Sequence, residues 1–524
     1  MKRYNISWML ALLVTVLSSC SDYLDINTNP NQATSVQPLL VLPAAITGTA
    51  SVSSQFNSYG VHFGGYMANA GGFSGFGNLF NYQLIPDNYN ALWVNTYDNL
   101  NDYKYVIDQT EGDDTQAYAN AAANIMVAYN FQKLVDAFGD VPYTEALQNN
   151  ANLTPKYDDA ATIYQDLVTR LNAAIALIDA AEFPAALNSS SDPMFGGDME
   201  EWKKFANTIK LRILVRVSGV ASLSSFVTTE FAALDKTLGF ITDDAIVNPG
   251  YVKDKPNPLW NSWGYTTTGT LANSSRIPTQ FAFGFYKGQK LTDTGRGAVV
   301  YKNFETNTPV NQLGNEVDAP TIITNYSTWY TGTFSSASSI GNALGVLKGA
   351  SQGQVLMLLA ESQFLQAEAR LKGFLTGDYA ASFDSGIAAS YTYLYKDVTN
   401  VVAAGKNVTA DVAAYKAENP DSYLVNIKLA TTPAQRLEAI ITQKWIAVNM
   451  INSEEGYNEF RRTGYPVTVP GGDGFENIAS KLSTSTRADK LPSRILYPTS
   501  EQSYNAGNYK VINPFTDLIF WDPN

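Results

Sequence analysis

A single histidine, His62, and a single cysteine, Cys20, limit the chemistry open to this chain. A Ser-His-Asp triad would have to use His62, and no Gly-x-Ser-x-Gly elbow accompanies it. Its setting, Tyr59-Gly60-Val61-His62-Phe63-Gly64-Gly65, suits a satisfied histidine at a loop. Zinc needs several nitrogen or sulfur ligands, which one His and one Cys cannot complete. Asp113-Asp114 and Asp243-Asp244 offer paired carboxylates without the twelve-residue spacing of an EF-hand, and they read as solvated acidic turns. The Gly-rich stretch at 64–77 lacks the Gly-Lys-Ser/Thr ending of a phosphate loop, so nucleotide binding is unsupported. Glycoside hydrolysis asks only for two carboxylates about 5 to 10 Å apart, and 48 acidic residues leave that alternative open. The expectation is a binding protein rather than an enzyme, with no catalytic residue, no metal and no cofactor.

Cys20 points to a different chemistry, acylation. Lys2 and Arg3 precede an uncharged stretch, Ile6 to Leu17, that is too short to span about 30 Å of hydrocarbon but fits a signal h-region. It runs into Leu17-Ser18-Ser19-Cys20, the pattern of a bacterial lipobox, where the thiol is diacylated and the chain is cut before it. The lone thiol has no disulfide partner in the chain. Acyl chains contribute about 0.8 kcal/mol per buried methylene, so the membrane would be held through a lipid anchor only. No later segment reads as a spanning helix.

Removing residues 1–19 takes two basic residues and no acidic one, moving the net charge from −13 to −15. Such a surface repels nucleic acid and anionic lipid. Charged residues make up 16% of the chain and aromatics 12%, against a usual quarter charged, so the surface is neutral, polar and ring-rich. That suits stacking against uncharged polar solutes such as sugars.

Two stretches concentrate these rings. Gly64 to Tyr82 contains Gly71-Gly72-Phe73-Ser74-Gly75-Phe76-Gly77, and Pro256 to Tyr265 reads Pro-Asn-Pro-Leu-Trp-Asn-Ser-Trp-Gly-Tyr. Both read as loops, and loops on a rigid scaffold are where binding residues gather. Phe73, Phe76, Trp260, Trp263 and Tyr265 are therefore the expected ligand-binding residues. Glycines let backbone approach a ligand closely, and Pro256 and Pro258 limit the entropy lost on binding. On this reading Trp260→Ala or Trp263→Ala costs binding about 2 kcal/mol with little loss of stability. Trp93, four residues before Tyr97 on an expected helix, belongs to the core, and emptying it costs roughly 3 to 5 kcal/mol.

Helices must carry these loops. Ile163, Leu167, Leu171, Ala174 and Ile178 follow three-four spacing, with Asp158 as the expected cap. Trp202, Phe205, Ile209 and Ile213 continue the pattern into the stretch Arg212 to Arg216. Ile125, Ala128, Phe131, Val135 and Phe138 form another face, as do Leu356, Ala360, Phe364, Ala367 and Leu371, and then Leu437, Ile441, Trp445 and Val448. Paired helices of this length suggest a helix-turn-helix solenoid of the tetratricopeptide type. The fold class expected is mostly α, a tetratricopeptide-like helical scaffold with a loop-rich, irregular ligand-binding lobe. The organisation expected is a signal peptide at 1–19, a lipidated N-terminus and tether at 20–37, and one domain at 38–524. Within that domain the helical scaffold covers about 38–240 and 350–455, the irregular lobe about 245–345, and a C-terminal segment 456–524.

Several blocks give a specific resemblance. Phe138-Gly139-Asp140-Val141-Pro142-Tyr143-Thr144-Glu145-Ala146, Thr154-Pro155-Lys156-Tyr157-Asp158 and Gly197-Asp198 with Trp202 to Asn207 occur in order. Glu459-Phe460-Arg461-Arg462-Thr463-Gly464-Tyr465-Pro466, then Arg494, Tyr497-Pro498, Glu501 and Asn505, close the chain, and Leu24 to Asn31 opens it. Together they resemble the SusD/RagB family of Bacteroidetes outer-membrane lipoproteins, in its SusD-like branch. The resemblance implies four tetratricopeptide-like helix pairs and an irregular lobe that carries the ligand. It implies a surface-exposed lipoprotein acting as the lid of a SusC-type TonB-dependent transporter, capturing an oligosaccharide or, in some members, a peptide. Gly139 and Asp140 suit a helix-ending turn, and Arg461 and Arg462 suit buried pairing with Glu454, Glu455 or Glu459. A purely structural surface protein, such as a pilin or adhesin, is favoured only if the aromatic loops prove buried with no cavity between them.

Overall fold

The computed structural model describes residues 36–70, 77–306, 311–315, 328–332 and 343–523. Cys20 and its lipobox, the tether up to residue 35, and Phe73 and Phe76 lie outside the described residues.

The architecture is a helical scaffold carrying a lobe of short elements. The main helices are α1 (Pro38–Phe63), α2 (Asn90–Thr110), α3 (Ala117–Phe138), α4 (Ala160–Ala180), α5 (Met199–Val217), α6 (Pro258–Trp263), α7 (Leu359–Leu371), α8 (Tyr379–Tyr395), α9 (Pro433–Ala447) and α10 (Ser453–Thr463). From α1 to α5 each of these helices packs on the next, α7 packs on α5, α8 and α9, and α10 returns to α1. This is the tetratricopeptide-like arrangement, closed by its last long helix against its first.

Local sequence explains the helix limits. In α4 the apolar series Ile163, Leu167, Leu171, Ala174 and Ile178 is buried along one stripe. Its cap is Asp159, whose carboxylate accepts from Thr162 N, rather than Asp158. Asp158 instead accepts from the backbone of Tyr143 and Thr144 and so ties the turn after α3. Helix α3 ends at Gly139 with φ 80°, where a Cβ would lie 2.8 Å from the Arg494 guanidinium, so glycine is required twice over. Thr432 and Gln435 form a reciprocal capping box on α9, with Pro433 in the first turn. Leu356 lies in a strand, and α7 begins three residues later than the apolar pattern suggests.

Helix α1 is long and apolar enough, by length and composition, to cross a membrane, which the sequence reading did not anticipate. Its buried side is studded with polar groups that bond inside the protein. Thr49 donates to Asn99 Oδ1 at 2.7 Å, Asn57 donates to the Met450 carbonyl, and His62 is enclosed between Tyr89 and the Leu79 carbonyl. Burial pushes His62 down to about 4, the Leu79 carbonyl opposing this only in part, so the ring is neutral at pH 7. Both ring nitrogens are engaged in packing contacts, as expected of a satisfied histidine.

Charge in the scaffold is internal. Arg216 of α5 bonds both Asp136 of α3 and Glu455 of α10, and all three side chains are buried. Arg212 adds Gln132 Oε1 at 2.8 Å and Glu361 of α7 at 3.4 Å. Lys133 pairs with Glu454, Lys444 with Glu459 at 2.8 Å, and Arg462 with Glu368 and Glu459. Five helices are thereby joined at fixed rotational settings. The expected carboxylate pairing holds for Arg462. Arg461 differs, donating to the carbonyls of Asp136 and Ser493 and to Asn458 while stacking on Tyr457. Its position at the last turn of α10 faces the C-terminal end of α3 and the segment at Ser493, which present carbonyls.

Three two-stranded antiparallel ribbons pin the remainder: β1 (Met67–Asn69) with β5 (Arg276–Pro278), β2 (Val141–Pro142) with β3 (Tyr157–Asp158), and β4 (Ala245–Val247) with β6 (Gln354–Met357). The β1–β5 ribbon, with Asn69 opposite Arg276, fastens the irregular lobe to the end of α1.

Candidate functional site

The second aromatic stretch is a helix, not the expected loop. Asn257 caps α6 by accepting from Trp260 N at 2.9 Å, and Pro258 occupies the first turn. Asn257 is itself fixed from both sides, its N–H donating to the Ala350 carbonyl at 2.8 Å and its amide to Gln354 Oε1. The Asn-Pro pair of the expected loop is here a cap followed by a favoured first position.

This helix separates the aromatic side chains by role. Trp260 is 1% exposed and has no face open to solvent. A Cβ at Gly264 would lie 2.4 Å from its ring, so the chain turns directly over the indole. Trp260 thus belongs to the core, and the expectation that its truncation would spare stability is corrected. Trp263 is 6% exposed and meets Trp329 edge-to-face, with centroids 5.3 Å apart at 77°. Tyr265 is half-buried, 6.1 Å from the Trp260 ring.

Trp263, Tyr265 and Trp329 line one cavity of about 150 Å3. Trp329, which the sequence reading missed, is delivered by a ladder in which Lys302 N donates to the Thr328 carbonyl at 2.7 Å and Tyr330 N to that of Val300 at 2.8 Å. Arg276 and Ser274 line the same cavity, beside the start of β5. Ala70, the last described residue before Phe73 and Phe76, donates its N–H to the Ser275 carbonyl at 2.8 Å. The stem of the first aromatic stretch therefore stands next to the cavity wall.

Two polar atoms in this wall are shut off from water and have no hydrogen-bond partner among the described residues: the Trp329 indole N–H and Asn273 Oδ1. Leaving such a group unpaired costs about 1–3 kcal/mol. One is a donor and the other an acceptor, and hydroxyl groups can satisfy either kind.

Larger cavities lie elsewhere, four of them of about 490, 420, 340 and 270 Å3. One of about 490 Å3 is lined by Phe131, Tyr143, Asp166 and Arg170, and Tyr143 is already bonded to Asp166. Another of about 420 Å3 is lined by Asp243, Asp244 and Lys348. Both aspartates bond Lys396, at 2.7 and 3.2 Å; Asp243 is solvated as expected, whereas the Asp244 side chain is buried and departs from that reading. Among the described residues, only the smallest of these five cavities has unpaired buried polar atoms in its lining.

Comparison with known proteins agrees with this architecture. A SusD-like family model, described as starch-binding and associating with the outer membrane, matches residues 30–498. A chitin-binding protein of known structure shares 24% identity with a TM-score of 0.69, over 93% of this chain and 100% of its own. A chitin-binding SusD homolog from Flavobacterium johnsoniae shares 21% identity with a TM-score of 0.66, over 93% of this chain and 96% of its own. A SusD homolog from Bacteroides uniformis shares 21% identity with a TM-score of 0.66, over 92% and 99%. Identities this low speak for a common fold. No curated protein matches the sequence.

Proposed function

The chain belongs to the SusD/RagB family, in its SusD-like branch, and on that premise we propose that it binds an oligosaccharide for uptake, in the cavity between Trp263, Tyr265 and Trp329. The observation that carries the reading is the unpaired Trp329 N–H and Asn273 Oδ1 within an aromatic wall. A sugar has an apolar C–H face for the rings and a rim of hydroxyls that both donate and accept. Trp260 backs the wall without touching the ligand. As the ligand enters, small adjustments of the wall side chains open the two unpaired groups to its hydroxyls. No step of bond cleavage is assigned to the protein, whose one histidine is neutral and enclosed.

The family supports the finer reading too. The protein is a surface lipoprotein anchored through Cys20, and it closes as a lid over a SusC-type TonB-dependent transporter. Cys20→Ala is expected to abolish incorporation of labelled fatty acid and membrane fractionation, and continued labelling of the variant would contradict the anchor.

Soluble protein lacking residues 1–20 is to be titrated calorimetrically with oligosaccharides from starch, chitin, cellulose and xylan, and with peptides of similar length. Binding heat with at least one glycan and no product in the recovered ligand is expected. Binding by peptides alone selects the peptide alternative, and cleavage that copurifies with the protein selects a glycoside hydrolase.

A further inference from the structure

We propose that the cavity receives one terminal residue of its oligosaccharide and does not accept an internal run of chain. The inference rests on reading this cavity as the glycan site.

Its size is the first argument. A cavity of about 150 Å3 is the volume that takes a single benzene ring in an engineered protein core, so one six-membered ring fills it. Clefts that enclose larger ligands usually measure about 300–1,000 Å3.

Its closure is the second. The lining divides into exposed and buried residues. Leu271, Ser274 and Lys302 are exposed, whereas Trp263, Trp329, Thr331 and Leu347 are buried at 6% or below. Leu347, at 1% exposure, is part of the main hydrophobic core, so the inner end is backed by packed protein. A polysaccharide chain passing through would need a second opening on the core side. On this proposal a ring enters past the exposed residues and stops against the buried ones.

The placement of the unpaired groups is the third. Trp329 is one of the buried lining residues, and its N–H has no partner among the described residues. An internal residue carries a glycosidic bond at both ends and would present a bridging oxygen and the next ring there. A terminal residue presents free hydroxyls on the side away from its neighbour, and hydroxyls can accept from the indole N–H and donate to Asn273 Oδ1. Tyr265 and the exposed residues of the mouth then contact the second ring at most.

Chain length tests this directly. Soluble protein lacking residues 1–20 is titrated with series of one to six residues derived from starch, chitin, cellulose and xylan. In any series that binds, the dissociation constant is expected to change less than about threefold between two and six residues. At equal mass, polymer shortened by limited hydrolysis should compete more strongly than intact polymer, in proportion to its added chain ends. Tightening of tenfold or more from two to six residues, or equal competition by intact and shortened polymer, overturns terminal recognition and leaves the glycan reading standing. Absence of binding in all four series overturns the glycan reading itself, and this inference with it.

Discussion

Arg216→Ala is expected to destabilise the protein by about 3 to 5 kcal/mol, the usual cost of breaking a buried pair by removing one partner. The guanidinium is 1% exposed and bonds Asp136 and Glu455, whose side chains are 4% and 1% exposed. Burial alone would raise the Glu455 carboxyl, and Arg216 followed by Arg212 holds it well below the ordinary carboxylate range. Without Arg216 the two carboxylates lose their main shared counter-charge. Tyr164 and the Trp521 indole, both hydrogen-bonded to Asp136, cannot neutralise it. The loss should read out as a lower urea midpoint, with helices α3, α5 and α10 released together. Arg216→Met combined with Asp136→Asn and Glu455→Gln is expected to recover part of the loss, because no unpaired charge is left buried. A cost below about 1 kcal/mol for Arg216→Ala would show that the network does not hold the scaffold.

Trp260→Ala is expected to cost about 3 to 5 kcal/mol, as for other large buried aromatics, and to loosen the cavity wall with it. The ring is 1% exposed and carries the turn at Gly264, from which Tyr265 and the 264–272 hairpin follow. Trp93→Ala should cost a similar amount for a different reason. Its ring packs edge-on against Phe138 and Tyr497, far along the chain from the cavity, and binding should survive wherever the variant folds. Trp260→Ala should lose both stability and ligand affinity. Melting of Trp260→Ala within a degree or two of the parent would contradict its place in the core.

The scaffold was legible because its helices are amphipathic over many turns. The stripe of α4 repeats apolar residues at helical spacing, and no other element competes for that pattern. The limits were less certain, since Asp158 and Asp159 are equally good caps and only the turn after α3 decides between them. The resemblance carried by Phe138 to Ala146 and Glu459 to Pro466 gave the fold class that periodicity could only suggest. The site was legible in part. Trp263 and Tyr265 were found through aromatic density, but Pro256 to Tyr265 was read as a loop although Asn257 is a cap and Pro258 the first position of a helix. Burial of Trp260 follows from the close approach of Gly264, which composition does not reveal. Trp329 and Asn273 gave no local signal. They reach the cavity through backbone pairing with residues 300–302 and through the return of the chain after α6, contacts between segments distant in sequence. The ionic network was hinted at by the Arg212 to Arg216 spacing on one helical face, while the choice of Asp136 and Glu455 as partners depends on how five helices meet.

The central claim, that the Trp263–Tyr265–Trp329 cavity is the glycan site, is tested most directly by removing its unpaired polar atoms without emptying it. Trp329→Phe keeps a ring and loses the N–H, and Asn273→Leu keeps the volume and loses Oδ1. Neither atom has a partner among the described residues, so neither change should lower the melting temperature. Each is expected to weaken binding of the best oligosaccharide by about 1 to 3 kcal/mol, roughly 5- to 150-fold, when titrated calorimetrically beside the parent protein. Affinity within twofold of the parent in both variants, with melting unchanged, would place the ligand elsewhere and contradict the account.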